Sequence, residues 1–161
     1  PTSVWFTKQF PLEQWVTLIN SIDAKYKVYL LGSPADKAHC DEIMRQCSHQ
    51  NIENLCGHLS LLQSAALMRD AVLNYVNDSG PMHLASALNA PTCAVYCSTV
   101  PRFGFGPLAD FAKIVEREEP LYCRPCGLHG YKACPEGHFK CARDIRNEQL
   151  LEVLRVRELE S

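Results

Sequence analysis

The feature that most constrains this chain is an alternation. Short runs rich in β-branched and aromatic residues lie at 3–6, 26–31, 52–56, 71–76, 92–97 and 113–116. Between most of them, apolar residues recur at helical spacing. The clearest case is 11–24, where Pro11 suits a first turn and Leu12, Trp15, Leu18, Ile19 and Ile22 share one face. A polar helix is predicted from Ala35 or Asp36 to about Cys47. Ser60 and Gln63 have capping-box spacing ahead of Ala65, Ala66, Leu67 and Met68. Asn77-Asp78-Ser79-Gly80 ends a strand, and Pro81 opens a helix that closes near Asn89. A last helix is predicted over 146–158. Strands alternating with helices imply a Rossmann-like α/β fold, a parallel sheet covered on both faces and joined by right-handed crossovers. Such sheets take ligands beyond the carboxyl ends of their strands. Chemistry is therefore expected in the loops at 6–10, 32–36, 57–60, 77–83 and 97–106. The alternation stops near Pro120. Within one domain, 1–119 reads as the α/β core, 120–145 as a cysteine-rich insert and 146–161 as a terminal helix.

Composition removes several classes. Of 161 residues, 47% are hydrophobic and 21% charged, which is ordinary globular usage and not that of a disordered tail, collagen or a coiled coil. A net charge of −2 gives no basic excess to suggest nucleic acid as a partner. No apolar run reaches the ~18 residues of a spanning helix. The chain opens on Pro1 inside an apolar run, with no signal peptide, so it reads as a piece of a longer protein. Nine cysteines, an odd number, cannot all pair within one chain. Cys40, Cys47, Cys56, Cys93 and Cys97 are scattered through apolar or helical settings, where a free thiol acts as a small hydrophobe. That usage points to a reducing compartment.

The strongest local signal is 77–83. It joins a buried strand to a helix start, where unpaired N–H groups and the positive end of the helix dipole face outward. Ser79 and Gly80 allow close approach of a diphosphate. Asp78 would repel a phosphate and suits a ribose or sugar hydroxyl. His83, on the first turn, can face the same ligand. The competing reading is plain capping by Asp78 or Ser79, with His83 on the surface. Thr7 and Lys8 follow the first apolar run, where a lysine can neutralise a phosphate or stand solvated. Asp36, after Gly32-Ser33-Pro34, can bind a ribose diol or cap a helix. The nucleophile elbow G-x-S-x-G is absent, which weakens a Ser–His–Asp hydrolase. The G-x-G-x-x-G fingerprint is also absent, which weakens an NAD enzyme. In the insert, Cys123, Cys126, Cys134 and Cys141 have spacing for a tetrahedral site, and a structural zinc could order a segment with little apolar content. Two disulfides, four free thiols or an iron–sulfur cluster remain open alternatives.

Taken in order, these residues resemble a known family. The run NDSGPMHLASALNAPTCAVY resembles the signature of glycosyltransferase family 9, whose pattern there is D-[ST]-G-x-x-H followed by an apolar helix and a strand. TKQFPLEQW, VYLLGSPAD and NLCGHLSLLQSAALMRDA resemble three further stretches of that family. CRPCGLHGYKACPEGHFKCARDI resembles a cysteine-bearing insert found in some members, absent from the best-known ones. The resemblance implies the C-terminal, donor-binding half of a GT-B glycosyltransferase. It implies an ADP-heptose-like donor, a lipopolysaccharide core acceptor held by an N-terminal half, and no cofactor for the chemistry. It places Lys8 and Thr7 on the phosphates, Asp36 on the ribose (where members often carry Glu) and Leu59 at the adenine edge. Ser79 and Gly80 would meet the diphosphate, and Asp78 and His83 the sugar and phosphate. Lys8, Asp78 and His83 would be the catalytic groups, the general base lying in the other half, so that this chain alone transfers nothing. The whole enzyme would be cytoplasmic, peripheral at the inner membrane face. Two alternatives stand beside it: a metal-stabilised nucleotide-binding module without transferase activity, and a nucleotide-sugar epimerase of related fold.

Overall fold

A computed structural model of the chain describes residues 1–160. A 3-10 turn at Phe6–Lys8 precedes helix α1, Leu12–Ser21. Strand β1 (Val28–Leu30) leads through a 3-10 turn at Pro34–Asp36 into α2 (Lys37–Gln46) and then β2 (Ile52–Asn54). Helix α3 (Leu61–Arg69) leads to β3 (Asn74–Asn77), α4 (Gly80–Ala87) and β4 (Thr92–Tyr96). Strand β5 (Ala112–Glu116), a short helix α5 (Lys140–Arg143) and α6 (Asn147–Leu159) complete the chain.

All strand pairs are parallel, as the alternation predicts. They form a two-stranded sheet, with β1 beside β2 in register Val28↔Ile52, and a three-stranded sheet in the order β3-β4-β5. In the latter, Asn74 pairs with Thr92 and Thr92 with Ala112. Strand β4 is buried at every position, as a central strand of a covered parallel sheet must be. Its side chains alternate between two layers. Cys93 and Val95, and Cys97 just beyond, join Phe10, Trp15, Leu18 and Ile19 of the α1 side and Leu150 and Val153 of α6. Ala94 and Tyr96 join Met68 of α3 and Met82 and Ala85 of α4. This is the period-2 geometry of a strand with helices on both faces. The capping box expected before α3 is present, with the Ser60 Oγ accepting from Gln63 N–H and the Gln63 Oε1 accepting from Ser60 N–H.

The run at 3–6 is not a strand. Val4 is 90% exposed, and the backbone nearby is satisfied by side chains rather than by a ladder. Gln9 Nε2 donates to the Ser3 carbonyl at 2.6 Å, and Asn77 Nδ2 donates to the Pro1 carbonyl at 2.7 Å. Helix α1 ends at Ser21, short of residue 24, because Ile22 turns extended. Strand β3 begins at Asn74, three residues late, where the Asn74 Nδ2 donates to the Met68 and Pro91 carbonyls. Helix α6 lies where the sequence placed it. It is tied to the sheet by Tyr75 Oη donating to the Leu150 carbonyl (2.9 Å) and Gln149 Nε2 donating to that of Glu116 (3.1 Å). Among the described residues, no helix is long and apolar enough to cross a membrane.

Candidate functional site

The carboxyl ends of β3 and β4 lie side by side, since Asn77 pairs with Val95. The chain after β3 delivers Asp78, Ser79 and the start of α4. The chain after β4 delivers Cys97, Ser98 and Thr99, all buried. The turn at Phe6–Lys8 closes over both. Asn77 anchors that approach from below: its Oδ1 accepts from the Phe10 N–H at 3.1 Å while its Nδ2 holds the Pro1 carbonyl. Residues 67 and 76 positions apart are thereby fixed against each other.

At the centre, Lys8 Nζ lies 2.8 Å from Asp78 Oδ2, with 15% and 8% of the two side chains exposed. The Thr99 hydroxyl donates to the same Oδ2 at 2.5 Å. A nearly buried carboxylate is tolerable only when paired and hydrogen-bonded, and this one is both. An ammonium carries three N–H donors, and Asp78 Oδ2 engages one position of that cation. The pair is neutral as a unit and stands beside the N-terminus of α4. There Ser79 makes no side-chain cap, Pro81 supplies no N–H, and Gly80 is exposed with open space where a Cβ would be. A helix start left uncapped by its own side chains, with a lysine next to it, is an anion-binding arrangement.

The other expected residues are placed as follows. Thr7 is fully buried, and its hydroxyl accepts from Ser98 Oγ at 3.0 Å and from the Tyr131 N–H at 2.8 Å. It therefore builds the wall of the site rather than facing outward. His83 is exposed on the first turn of α4, its ring edge-on to Phe105 at 6.4 Å. Asp36 is engaged in a capping box: its Oδ2 accepts from the Ser33 N–H and hydroxyl at 2.7 Å each, and its Oδ1 accepts from the Thr2 hydroxyl. Partial burial by itself pushes its carboxyl up, but the hydrogen bonds from Thr2 and Ser33 outweigh that and hold it below the usual carboxylate range. Leu59 lines a separate hollow of about 530 Å³ with Tyr29, Glu53, Leu55, Gln63 and Leu67; neither Lys8 nor Asp78 lines it. Thr99, Ser98 and Asn77 lie in the expected stretches 97–106 and 77–83, but no individual role is predicted for them from the sequence. Their signal in the sequence is slight: polar side chains at the ends of otherwise apolar strands.

The insert is where a four-cysteine metal site is expected, at Cys123, Cys126, Cys134 and Cys141. Among the described residues, no three His, Cys, Asp or Glu side chains converge as a ligand set, and all nine cysteines are free thiols. Cys123 Sγ is 3.9 Å from His138 Nε2, while Cys126 Sγ points to the Cys123 carbonyl at 3.6 Å. Cys141 lies in the main core and Cys134 packs against it, and Cys123, Cys126 and Cys134 are all near enough to Cys141 to act on its charge. Burial, with Cys126 and Cys134 nearby, pushes the Cys141 thiol up to about 12. Burial likewise raises Cys40, Cys47, Cys56, Cys93, Cys97 and Cys126, consistent with thiols that fill space.

Comparison with known proteins places this geometry in context. The lipooligosaccharide heptosyltransferase 2 of Campylobacter jejuni is 32% identical over 148 residues, covering 90% of this chain and 45% of that protein. The lipopolysaccharide heptosyltransferase 2 of Escherichia coli K12 is 30% identical over 153 residues, covering 91% of this chain and 42% of that protein. The chain thus spans less than half the length of these relatives. A solved structure of the E. coli ADP-heptose lps heptosyltransferase II superposes with a TM-score of 0.80 at 27% identity, covering 99% of this chain and 45% of that one. The family model for glycosyltransferase family 9 (heptosyltransferase) matches residues 1–132, which take in the Phe6–Lys8 turn, the β3–α4 junction and the end of β4. The chain belongs to glycosyltransferase family 9.

Proposed function

We propose that this chain is the donor-binding half of an inverting glycosyltransferase that moves a heptose, or a related sugar, from ADP-heptose to a lipopolysaccharide core acceptor. The observation that carries the reading is the Lys8 ammonium, held 2.8 Å from Asp78 beside the uncapped start of α4. The names of the relatives support the sugar and the acceptor. In the reaction, an acceptor hydroxyl attacks the anomeric carbon, the bond from that carbon to the diphosphate oxygen breaks, and negative charge builds on the departing ADP. Lys8 and the N–H groups of Ser79 and Gly80 stabilise that charge, which is electrostatic catalysis. Asp78 orients Lys8 and meets a sugar hydroxyl, and His83 borders the sugar and phosphate. The acceptor and the general base come from residues outside this chain, so the chain alone binds donor and does not transfer. The chemistry asks for no metal, and the whole enzyme works at the inner face of the membrane without crossing it.

The test is thermal unfolding of the chain with ADP, UDP and GDP. At 100 times its dissociation constant, ADP adds ~2.7 kcal/mol to stability, which a melting curve resolves. The expected result is a shift with ADP alone that Lys8→Met and His83→Ala remove. Equal shifts with all three nucleotides would refute the donor assignment, a shift that survives Lys8→Met would refute the role of Lys8, and no shift would refute donor binding by this chain.

A further inference from the structure

The insert makes a set of contacts that neither a spacer nor a metal site requires. The Tyr131 N–H donates to Thr7 Oγ1 at 2.8 Å, and the Thr7 N–H donates back to the Tyr131 carbonyl at 3.1 Å. These two bonds fix the backbone of the residue that immediately precedes Lys8. Nearby, the Cys126 N–H donates to the Ser98 carbonyl at 2.8 Å, and Ser98 Oγ donates to the Thr7 hydroxyl. Arg124 Nη2 donates to the Thr99 carbonyl at 2.7 Å and pairs with Glu116 at 2.5 Å. Thr99 is the residue whose hydroxyl holds Asp78. One short segment therefore grips both partners of the central ion pair through their neighbours.

Gly130 is the point of closest approach. It is buried, with φ +80°, and a Cβ there would fall 2.8 Å from Thr7 Oγ1, 3.1 Å from Lys8 Cγ and 3.2 Å from Ser98 Oγ. The Lys8 stem passes beside the space a side chain at 130 would fill, its Cγ 3.1 Å from where a Cβ would lie. A lysine stem has several free rotations, and a wall at its Cγ removes part of that freedom before any ligand arrives.

We propose that the Gly130–Tyr131 step of the cysteine-rich insert is the positioning element for Lys8, setting where its ammonium meets the donor diphosphate. The inference rests on the reading of Lys8 given above. Gly130 is a positioning residue: it touches no substrate and acts through Lys8. The insert earns its place by preorganising the phosphate-side cation, and its buried thiols serve as the apolar fill of that brace.

Gly137 supplies a matched control. It lies in the same insert with φ +70°, yet a Cβ there would meet nothing within 4 Å. Alanine at 130 and at 137 thus carries the same kind of backbone strain, and only the first crowds Thr7, Lys8 and Ser98. ADP affinity is measured by titration calorimetry for the wild-type chain, Gly130→Ala, Gly137→Ala, Lys8→Met and the Lys8→Met/Gly130→Ala pair. The expected result is a loss of about tenfold or more for Gly130→Ala, under about twofold for Gly137→Ala, and under about twofold when Gly130→Ala is added to Lys8→Met. A Gly130→Ala chain that binds ADP as the wild type does, while Lys8→Met is weakened, overturns the brace and leaves the Lys8 reading standing. A loss that persists in full in the Lys8→Met background also overturns it, because the glycine then acts through something else. Lys8→Met binding as wild type overturns the parent reading and the brace with it. If Gly130→Ala does not fold, Thr7→Val and Thr7→Ser replace it: serine keeps the hydroxyl that takes the Tyr131 N–H and valine does not. Serine within about threefold of wild type and valine at least about tenfold weaker support the brace, and equal affinities overturn it.

Discussion

The Lys8–Asp78 contact makes a quantitative prediction about stability that needs no ligand. At 2.8 Å and an effective dielectric near 20, the gross attraction is about 6 kcal/mol. Most of that is returned as the desolvation cost of two charges that are 15% and 8% exposed. What an experiment reads is the penalty for stranding one partner. Lys8→Met keeps the apolar stem and leaves the Asp78 carboxylate with the Thr99 hydroxyl as its partner, at an expected cost of about 3 kcal/mol. Asp78→Asn keeps an acceptor for Thr99 and strands the ammonium, at about 2 kcal/mol. The double variant strands neither charge and should cost about 3 kcal/mol, so the coupling is about 2 kcal/mol. For a chain of this size the Lys8→Met loss corresponds to roughly 6–12 °C in Tm. Urea unfolding of the four proteins at about 0.05 and 0.5 M NaCl measures the coupling, which should change little with salt because the pair is shielded from solvent. If the two single losses add to within about 0.5 kcal/mol of the double, the ion pair does not exist in solution and the site as described is wrong.

Asn77→Ala removes the acceptor of the Phe10 N–H in a residue that is 1% exposed, so a loss of about 2–3 kcal/mol in urea unfolding is expected; a loss below about 1 kcal/mol would show that the amino-terminal segment is not anchored there. The Asp36 carboxyl is held below its ordinary 3.8, so its contribution is complete above that pH and is lost as pH falls through its folded value. Relative to the wild type, Asp36→Asn should show a flatter decline in Tm below pH 3.8, and parallel acid profiles would rule this out. Cys40 and Cys141, raised from 9.0 to about 12, act in the opposite direction. Their contribution is complete below 9 and is lost as pH rises toward 12, so Cys141→Ala should lessen the alkaline fall in Tm. Iodoacetamide at neutral pH should label the half-buried Cys47, Cys123 and Cys134 well ahead of the six buried thiols. Mass-spectrometric mapping that finds Cys97 or Cys141 among the first to react would contradict the burial described.

Much of this protein was legible in order along the chain. Helix α1 follows from Pro11 and the spacing of Trp15, Leu18 and Ile19, and α3 from the Ser60–Gln63 box. Strand β4 follows from an unbroken apolar run, because a covered parallel strand must be apolar on both faces. The β3–α4 junction could be found because a ligand-accepting helix start leaves a local mark: a polar turn, a small residue and Pro81 within a few positions. The run at 3–6 misled because β-forming residues say nothing about whether a neighbouring strand is there to pair with. The carboxamides of Gln9 and Asn77 took up that backbone instead. The cysteine spacing brought four thiols into one insert, but spacing alone does not say where sulfurs point, and the core takes up Cys141.

The sequence alone determined the kind of layers, the order of the elements and the loop where an anion would sit, because each depends on residues within a turn or two of one another. Only the tertiary structure decided that Lys8 and Asp78 form a pair, that Thr99 holds the carboxylate, and that Gly130 and Tyr131 press on Thr7 and Lys8. Those partners stand between 21 and 124 residues apart. No periodicity records such distances, because folding brings these groups together by burying apolar surface elsewhere, and their polar contacts then form wherever that burial leaves them adjacent.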